Sequence, residues 1–417
     1  MSRFDYLIPV VPFANQVMVR GEGSHLYDAA GRAYLDLTSG QFCTVLGHSN
    51  PEVLKRLEAK TARILHTSTS VVSQEVIDCS EALHRISGEM QAYSIVLSTG
   101  AEVVEFCLRY AKAMKRKPGV LCFEKGYHGL TLGAQSVTFA GRYARPLVEN
   151  IYSVPIPPTR ADAAQVETSL SEVEQALATH QDIVAFIVEP IVSVGGMVFP
   201  PAQWFRSVRE LCDKYGVFLV LDECQTGFGR TGEWFAYQAY GFVPDMVAVA
   251  KGIGLGYPVA AALFRDQIMT QVDLPITHYS SHQNDPFGAA VINVGIDIVE
   301  ANDILARVKR AGAEILRELD LVTQGSEHLT FARGLGMMLG VDLRFDGVTN
   351  YRAIYHRLSE LMMERGVLLQ GTDGGHTLRF LPDYLIEVSD VAWALRTLAE
   401  TLQSDELATL AAAQVSR

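Results

Sequence analysis

Lys251 is the residue in this sequence best placed for covalent chemistry. It follows five apolar residues in the segment MVAVAKGIGLGYP, and a glycine-rich turn comes after it. A lysine that is desolvated in this way has a lowered pKa, so its neutral amine can form a Schiff base. The same pattern is also compatible with a solvated lysine that only ends a strand. The local pattern therefore indicates a candidate nucleophile and leaves a surface lysine open.

Two adjacent carboxylates, Asp222 and Glu223, end the apolar run VFLVL. Such a pair can hold Mg²⁺ in a nucleotide hydrolase, but the sequence contains no G-x-x-x-x-G-K-[ST] loop. An aspartate can instead lie against the ring nitrogen of a pyridine-type cofactor, where it keeps the nitrogen protonated and makes the ring an electron sink. The pair thus favours a pyridine-type cofactor over a nucleotide-hydrolysing metal site.

Two further segments follow predicted strands. Ser98–Glu102, spelled STGAE, joins a strand to the start of a helix, where small residues let backbone N–H groups approach a phosphate. Ser and Thr also cap helices routinely, so simple capping stays open. Tyr127–Gly129, spelled YHG, puts an aromatic ring after a strand that ends near Glu124. That ring is placed either to stack on a cofactor or to pack on the core.

Three other patterns carry less weight. Gly227–Gly232 spells G-x-G-x-x-G, but it does not join a strand directly to a clear helix, so we treat it as a chance match. His278 and His282 stand four residues apart without an H-E-x-x-H context, which argues against a zinc pair. No G-x-S-x-G nucleophile elbow occurs. A nicotinamide-dependent oxidoreductase and a non-catalytic binding protein remain as rival classes.

The elements that must position these residues form an α/β pattern. Short apolar runs are predicted strands at about Ile95–Ser98, Gly119–Glu124, Ile183–Val188, Val217–Leu221, Met246–Ala250 and Ala260–Phe264. Helices are predicted at about Pro51–Arg63, Ala101–Lys115 and Ala202–Lys214, with a long helical stretch from about Phe287. Unbroken apolar strands between helices indicate a mostly parallel sheet buried on both faces, and ligands bind beyond the carboxyl ends of such strands.

The 417 residues are predicted to form three parts. These are an N-terminal arm with part of a small domain (1–48), a large cofactor-binding domain (49–290) and a smaller α+β C-terminal domain (291–417). The net charge of −12 without a long Lys or Arg run argues against nucleic acid or an anionic membrane as a main partner. The six scattered cysteines, and the lack of a signal peptide or of an apolar run approaching ~18 residues, favour a cytoplasmic protein.

Several motifs, taken in order, resemble the class III (omega) aminotransferases, which depend on pyridoxal 5'-phosphate and have fold type I. They are LDLTSG (35–40), STGAE (98–102), YHG (127–129), EP (189–190), LDECQTGFGRTG (221–232), AKGIGLGYP (250–258), HYSSHQNDP (278–286) and TLRFLP (377–382). The likeness covers nearly the whole chain. It implies a large domain built on a mostly parallel seven-stranded sheet between helices, with a smaller second domain.

The resemblance also implies roles for single residues. Lys251 would form the Schiff base and move the proton, Asp222 would pair with the pyridine nitrogen, and Tyr127 would stack on the ring. Gln225 would lie near the phenolic oxygen. Further cofactor-binding residues would be Thr99, Gly100, Ala101, His128, Glu189 and Ser281. In the family the residue at the position of Ser281 reaches the phosphate of the neighbouring subunit, which implies a homodimer, with a dimer of dimers as a further option.

Within the family, the chain resembles the 2,2-dialkylglycine decarboxylases most. By that likeness Gln41 and Arg379 would bind the substrate carboxylate, and Thr69, Ser281 and Asp285 would match a site for an alkali-metal ion. The chain departs from that branch at four positions, where it has Tyr127 for Trp, Phe42 for Met, Val194 for Ser and Thr69 for Ser. These changes alter the shape and polarity of the pocket.

We therefore expect an aminotransferase that moves an amino group from an amine or amino acid donor to a keto acid or other carbonyl acceptor. The alternative is a decarboxylation-dependent transaminase that acts on 2,2-dialkylglycines. Arg379, with its bidentate donors, predicts that at least one substrate carries a carboxylate.

Overall fold

The structure is a computed structural model, which describes residues 6–8, 10–11, 13–14, 16–139, 147–269 and 276–415. Within these residues no helix is both long enough and apolar enough to cross a membrane.

A seven-stranded sheet forms the centre of the molecule, in the order β4-β10-β9-β8-β7-β5-β6. Its strands are β4 (Tyr93–Leu97), β5 (Gly119–Phe123), β6 (Ile151–Val154), β7 (Ile183–Val188), β8 (Phe218–Asp222), β9 (Met246–Val249) and β10 (Ala260–Phe264). Strands β5 to β9 pair in parallel, while β10 runs antiparallel to both β9 and β4. The predicted mostly parallel α/β sheet is confirmed.

Both faces of this sheet are buried, as the continuous apolar runs predict. All six residues of β7 are buried. Its side chains alternate between two separate hydrophobic cores, with Phe186 and Val188 in one and Ala185 and Ile187 in the other. Since successive side chains of a strand point to opposite faces, only a strand covered on both sides can be apolar throughout.

Helices cover the sheet and continue into the C-terminal part of the chain. They are α1 (Ser39–Phe42), α2 (Pro51–Thr61), α3 (Gln74–Ile86), α4 (Gly100–Lys115), α5 (Leu132–Ser136), α6 (Ala163–Thr179), α7 (Ala202–Tyr215), α8 (Ala236–Tyr240), α9 (Asp266–Met269), α10 (Pro286–Ala301), α11 (Ile304–Gln324), α12 (Arg352–Glu364), α13 (Val388–Leu402) and α14 (Asp405–Gln414). Asn50 and Thr99 cap α2 and α4 with their side chains, which fixes where these two helices begin.

Two smaller sheets flank the central one. The first, in the order β1-β2-β3-β13, joins β1 (Met18–Glu22), β2 (His25–Asp28) and β3 (Ala33–Asp36) to β13 (Val367–Leu368). The second, in the order β11-β12-β15-β14, contains β11 (Leu329–Leu335), β12 (Met338–Leu343), β14 (Gln370–Gly371) and β15 (Thr377–Phe380). The parallel pairing of β3 with β13 attaches the N-terminal segment to the C-terminal part of the chain. The division at 290/291 stays a prediction, and that position lies inside α10.

Candidate active site

A cavity of about 440 Å³ lies at the carboxyl ends of the central strands. It is lined by residues that follow β4, β5, β8 and β9, among them Ser98, Thr99, Gly100, Ala101, Tyr127, His128, Asp222 and Lys251. Parallel strands end at the same edge of a sheet, so residues far apart in sequence meet there. The sequence-predicted residues that follow these strands do converge.

Lys251 follows Ala250, the first residue after β9, and is half-buried. Its φ of 51° lies in the left-handed region, which non-glycine residues adopt only at a cost of about 1–2 kcal/mol. Such strain persists where the surrounding structure holds a residue in place, and it is common at functional sites. Lys251 lines the cavity and is half-buried, so it is not the fully solvated strand-end lysine that the sequence left open.

The start of α4 forms one wall of the cavity. Thr99 caps the helix by accepting the backbone N–H of Glu102 at 3.3 Å, and the Glu102 carboxylate accepts the N–H of Ser98 at 2.9 Å. A Cβ atom on Gly100 would lie 3.1 Å from Cys224 Sγ and 3.3 Å from Ala250 Cβ. Glycine at this position therefore lets the helix start approach β8 and β9 closely. The N-terminus of α4 is a suitable binding site for a phosphate group.

Asp222 and His128 form a buried pair at the back of the cavity. His128 Nδ1 lies 2.8 Å from Asp222 Oδ2, and the backbone N–H of Cys224 donates to Asp222 Oδ1 at 3.0 Å. Burial alone would raise the pKa of Asp222, but the hydrogen bond and charge of His128, together with Lys251, hold that pKa below its ordinary value. Asp222 is therefore an anion at neutral pH, although it is buried.

Glu223 points in a different direction from Asp222. Its carboxylate accepts backbone N–H groups of Ala236 at 2.7 Å and Tyr237 at 3.0 Å, and the hydroxyl of Thr226 at 3.0 Å. These contacts anchor the start of α8. The two adjacent carboxylates thus do not converge on one point, which is incompatible with the magnesium pair considered above.

Glu189 stands behind Tyr127. Its Oε1 accepts the backbone N–H of Tyr127 at 2.8 Å, and the side chain is buried. Desolvation raises the pKa of Glu189 to about 7, with the nearby Asp222 acting in the same direction. Glu189 therefore positions the Tyr127 segment from behind the cavity wall.

A second cavity of about 380 Å³ shares Lys251 and Tyr127 with the first. It is also lined by Gln41, Phe42, Val194, Gln225, Arg352, Tyr355, Gln370, Asp373 and Arg379. The Oε1 atom of Gln225 is buried without a hydrogen-bond partner among the described residues. A buried acceptor without a donor is costly, so this atom indicates a position where a bound group supplies the donor.

Arg379 is a buried cation in the wall of the second cavity. Its Nε donates to the carbonyl of Gly371 at 3.1 Å, and its Nη1 donates to Ser193 Oγ at 3.0 Å. The guanidinium lies over the Phe42 ring, 5.2 Å from the centroid. Burial lowers the pKa of Arg379 to about 10, and no carboxylate of the described chain forms an ion pair with it. A buried guanidinium without a counter-ion favours an anionic ligand.

Gln41 reaches the same cavity from a left-handed turn. The four residues of α1, Ser39 to Phe42, have φ values of 42°, 55°, 63° and 72°. The amide of Gln370 donates to Gln41 Oε1 at 3.2 Å, and Gln370 Oε1 has no partner among the described residues. Two side chains separated by 329 positions thus form one polar edge of the cavity.

The three residues of the predicted alkali-metal site have different surroundings. Thr69 is half-buried, Ser281 is exposed, and Asp285 is buried. Ser281 is not among the described residues that line the first cavity of its own chain. Both carboxylate oxygens of Asp285 contact imidazoles, Oδ1 from His66 and Oδ2 from His282. The alkali-metal site therefore stays a prediction.

Sequence reasoning missed several residues in or beside the second cavity. Ser193 and Gln370 contact the two predicted substrate-binding residues directly, and Arg352 pairs with Asp373 at 3.2 Å on the outer side of the cavity. Each lies in a loop, on a short strand or on a helix surface without a local motif. Only their contacts across the chain identify them.

Comparison with known proteins gives a consistent result. The family described as "Aminotransferase class-III" matches residues 10–402. An uncharacterized aminotransferase of Schizosaccharomyces pombe is 31% identical over 79% of this chain and 77% of its own. The [LysW]-aminoadipate semialdehyde/glutamate semialdehyde transaminase of Sulfolobus acidocaldarius is 28% identical over 92% of this chain and 94% of its own. An amine transaminase from an uncultivated Pseudomonas species, solved with bound pyridoxal phosphate, superposes with a TM-score of 0.88 at 25% identity, covering 95% of this chain and 98% of its own.

Proposed function

We propose that this chain, which belongs to the class III aminotransferase family, moves an amino group from an amino acid or amine donor to a keto acid or other carbonyl acceptor. Members of this family depend on pyridoxal phosphate. One observation carries the proposal. Lys251 lies where two cavities meet, one with a phosphate-binding helix start and a buried anion, the other with a buried guanidinium that forms no ion pair with a described carboxylate.

The residues of the first cavity fit pyridoxal phosphate. The start of α4 at Gly100 and Ala101 would hold the phosphate, Tyr127 would cover the ring, and Asp222 would hold the pyridine nitrogen in its protonated form. Gln225, whose Oε1 has no partner among the described residues, would lie beside the phenolic oxygen of the ring. When bound, the cofactor supplies an aldehyde that attaches amines covalently and a ring that stabilises negative charge at the substrate carbon.

Lys251 has two tasks in this proposal. Its amine holds the cofactor between turnovers, and once it is free it moves a proton from the substrate carbon. A group that transfers a proton must reach the reacting atom to within hydrogen-bond distance. Lys251 is suited to this because it lines both the cofactor cavity and the second cavity.

Arg379 binds and orients the substrate carboxylate. Two of its nitrogen atoms are fixed by Gly371 and Ser193, so the guanidinium is held in place before the substrate arrives. A substrate carboxylate would form the ion pair that this buried guanidinium lacks among the described residues. It would also set which bond of the substrate carbon faces Lys251. The substrate class is therefore a compound that carries a carboxylate near the reacting amine or carbonyl.

The position of Gln41 favours a second candidate, the decarboxylation-dependent transaminase. Gln41 lies in the same cavity as Arg379, and its acceptor oxygen is already bonded to Gln370. Its amide N–H groups would then donate to a ligand carboxylate. If Gln41 binds the carboxylate, the carbon–carboxylate bond can take the reacting position in place of the carbon–hydrogen bond.

One experiment distinguishes the two reactions. The holoenzyme is mixed with 2-aminoisobutyrate, which has no α-hydrogen, and in parallel with a panel of α-hydrogen amino acids. The cofactor spectrum and the released carbon dioxide are followed together. Amino transfer from members of the panel without carbon dioxide supports the leading proposal. Stoichiometric carbon dioxide from 2-aminoisobutyrate supports the second candidate, and no transfer from any donor contradicts both.

An apolar surface beside the site supports a homodimer. Leu65, Val71, Val72 and Tyr279 are each more than half exposed. The contact of His66 with Asp285 brings their two segments together. We name these four residues the apolar patch. Exposed apolar patches of this kind mark association surfaces, and a second copy covering it would place Ser281 near its neighbour's cofactor cavity.

A further inference from the structure

We infer that His66, His282 and Asp285 form a binding site for a divalent transition-metal cation of the zinc class. Each residue offers one ligand atom, and these atoms all lie within 4.8 Å of one another. The three residues come from the segment after α2 and the segment before α10. Because this site uses no residue proposed to hold the cofactor or the substrate carboxylate, it is independent of the proposed function.

Asp285 connects the two imidazoles. Its Oδ1 lies 3.1 Å from His66 Nδ1, and its Oδ2 lies 3.2 Å from His282 Nδ1. The centroids of the two rings are 5.0 Å apart. Both ring nitrogens therefore lie beside the same carboxylate group, and all three ligand atoms are close enough to share one cation.

The orientation of Asp285 is unusual for its place in the fold. It is the N-cap residue of α10, where an aspartate side chain normally accepts a backbone N–H and stabilises the helix by about 1 kcal/mol. Here the side chain makes no capping hydrogen bond. The carboxylate is directed to the two histidines instead, at the expense of the cap.

Burial and charge also favour a cation. The side chain of Asp285 is 8% exposed, whereas those of His66 and His282 are 45% and 60% exposed. A buried carboxylate therefore lies beneath two accessible imidazoles. Hydrogen bonds from the imidazoles and the positive end of α10 offset its charge only in part. A divalent cation bound by all three residues would compensate it fully and is accessible from solvent.

The ligand set identifies the class of metal. Two imidazole nitrogens and one carboxylate oxygen are the ligands that zinc and related transition metals prefer, with water completing the coordination. Alkali, calcium and magnesium ions prefer oxygen ligands only. The inferred site therefore differs in chemistry from the alkali-metal site predicted with Thr69 and Ser281, although the two would share Asp285.

A bound ion would connect the site to the cofactor cavity. His282 and Asp285 line a cavity of about 220 Å³ together with Ser98, Tyr257, Pro258 and Val259. These last four residues also line the first cavity. The ion would thus fix the segment that carries Ser281 against a wall of the cofactor cavity.

The test uses the cofactor-loaded enzyme after treatment with a chelator. It is titrated with Zn²⁺ by calorimetry, and Co²⁺ is added separately to record its visible absorption. We expect one Zn²⁺ per chain, and affinity weakened at least about tenfold in both His66→Gln and His282→Gln. The matched control is His376→Gln, since His376 is also exposed and lies 3.7 Å from a single carboxylate, that of Asp342. This control should bind Zn²⁺ like the wild type.

Three results would overturn the inference. The first is measured on the wild type alone: it binds no Zn²⁺, or its Co²⁺ spectrum is identical to that of the hydrated ion. The second is unchanged Zn²⁺ affinity in both folded histidine variants. The third is a site that binds K⁺ but not Zn²⁺ and is insensitive to both substitutions, which would mean an alkali-ion site only.

Discussion

At the scale of single residues, two adjacent carboxylates with opposite surroundings give the sharpest contrast. Asp222 contacts His128 and lines the first cavity. Glu223 instead accepts the N–H groups of the first two residues of α8. Both are buried. The two residues are adjacent in the chain, so their different roles result from the different orientations of their side chains.

Asp222→Asn should therefore reduce activity while the fold is kept. Removing the anion weakens an interaction with a protonated ring nitrogen, and hydrogen bonds to charged groups contribute about 1.5–3 kcal/mol. We expect kcat/KM for amino transfer to fall by about 10- to 100-fold, measured at saturating cofactor. Glu223→Gln is the matched control and should retain more activity than Asp222→Asn. Equal losses in the two variants would contradict the assigned roles.

Glu223 predicts a dependence of stability on pH. Desolvation raises its pKa from the ordinary 4.5 to about 7 in the folded chain. Because the folded pKa is the higher one, the stabilisation from the protonated form is complete below pH 4.5 and is lost as pH rises to about 7. The free energy of unfolding should thus fall by up to about 3 kcal/mol across this window.

The measurement is chemical denaturation of the wild type and of Glu223→Gln at a series of pH values. Gln cannot ionise, so the variant should show a flatter profile over the same window. Parallel profiles for the two proteins would show that folding does not raise the pKa of Glu223.

At the scale of elements, the start of α4 depends on how closely the neighbouring loop approaches it. Gly129 has a φ of 119°, and a Cβ atom there would lie 2.7 Å from Ala101 Cβ. A side chain at this position would push the helix start away from the phosphate position. The close approach of this loop to the start of α4 therefore requires glycine at this position.

Gly129→Ala should weaken the binding of pyridoxal phosphate and destabilise the fold by about 1–3 kcal/mol, through strain and overpacking. Fluorescence titration of the apoenzyme with the cofactor and thermal unfolding measure the two effects. Gly374→Ala serves as the control, because a Cβ atom at Gly374 meets nothing within 4 Å. If Gly129→Ala binds the cofactor as tightly as the control, the close contact between Gly129 and the start of α4 is not needed for cofactor binding.

The elements also show what could be predicted from the sequence. Continuous apolar runs predicted β7 and β10 with their observed bounds. A strand that is buried on both faces is apolar at every position, so the first and last apolar residues mark its ends. The strand β6 and the sheet that joins β3 to β13 were missed. The pairing of β3 with β13 depends on residues more than three hundred positions apart, and nothing local encodes it.

The candidate site divides in the same way. Lys251 and Asp222 come at the ends of strands, so the strand pattern was enough to single them out, and both line the first cavity. The left-handed turn that carries Gln41 was not predicted, since three of its four residues are not glycine and no rule of turn chemistry favours them there. Gln370, its partner, gives no local signal. Local sequence patterns therefore do not predict the backbone strain and the long-range contacts at the site.

At the scale of the whole molecule, the apolar patch predicts association of two chains. Val72→Asp should shift the protein from dimer to monomer and lower its activity, because a charge would have to be buried at the interface. Light scattering with size-exclusion chromatography measures the mass. Leu321→Asp is matched, since Val72 is 65% exposed and Leu321 is 62% exposed. A dimer that persists in Val72→Asp, or a Leu321→Asp monomer, would place the interface elsewhere.

The most direct test of the central claim is the half-reaction with an amino acid donor in Lys251→Ala. Wild-type enzyme and the variant, both loaded with pyridoxal phosphate, are mixed with donor while keto product and cofactor absorbance are recorded. Lys125→Ala is the control, because this exposed lysine follows another strand of the same sheet. We predict a rate lower by roughly 10²- to 10⁴-fold in Lys251→Ala and an unchanged rate in Lys125→Ala. Amino transfer by Lys251→Ala at the wild-type rate would contradict the account.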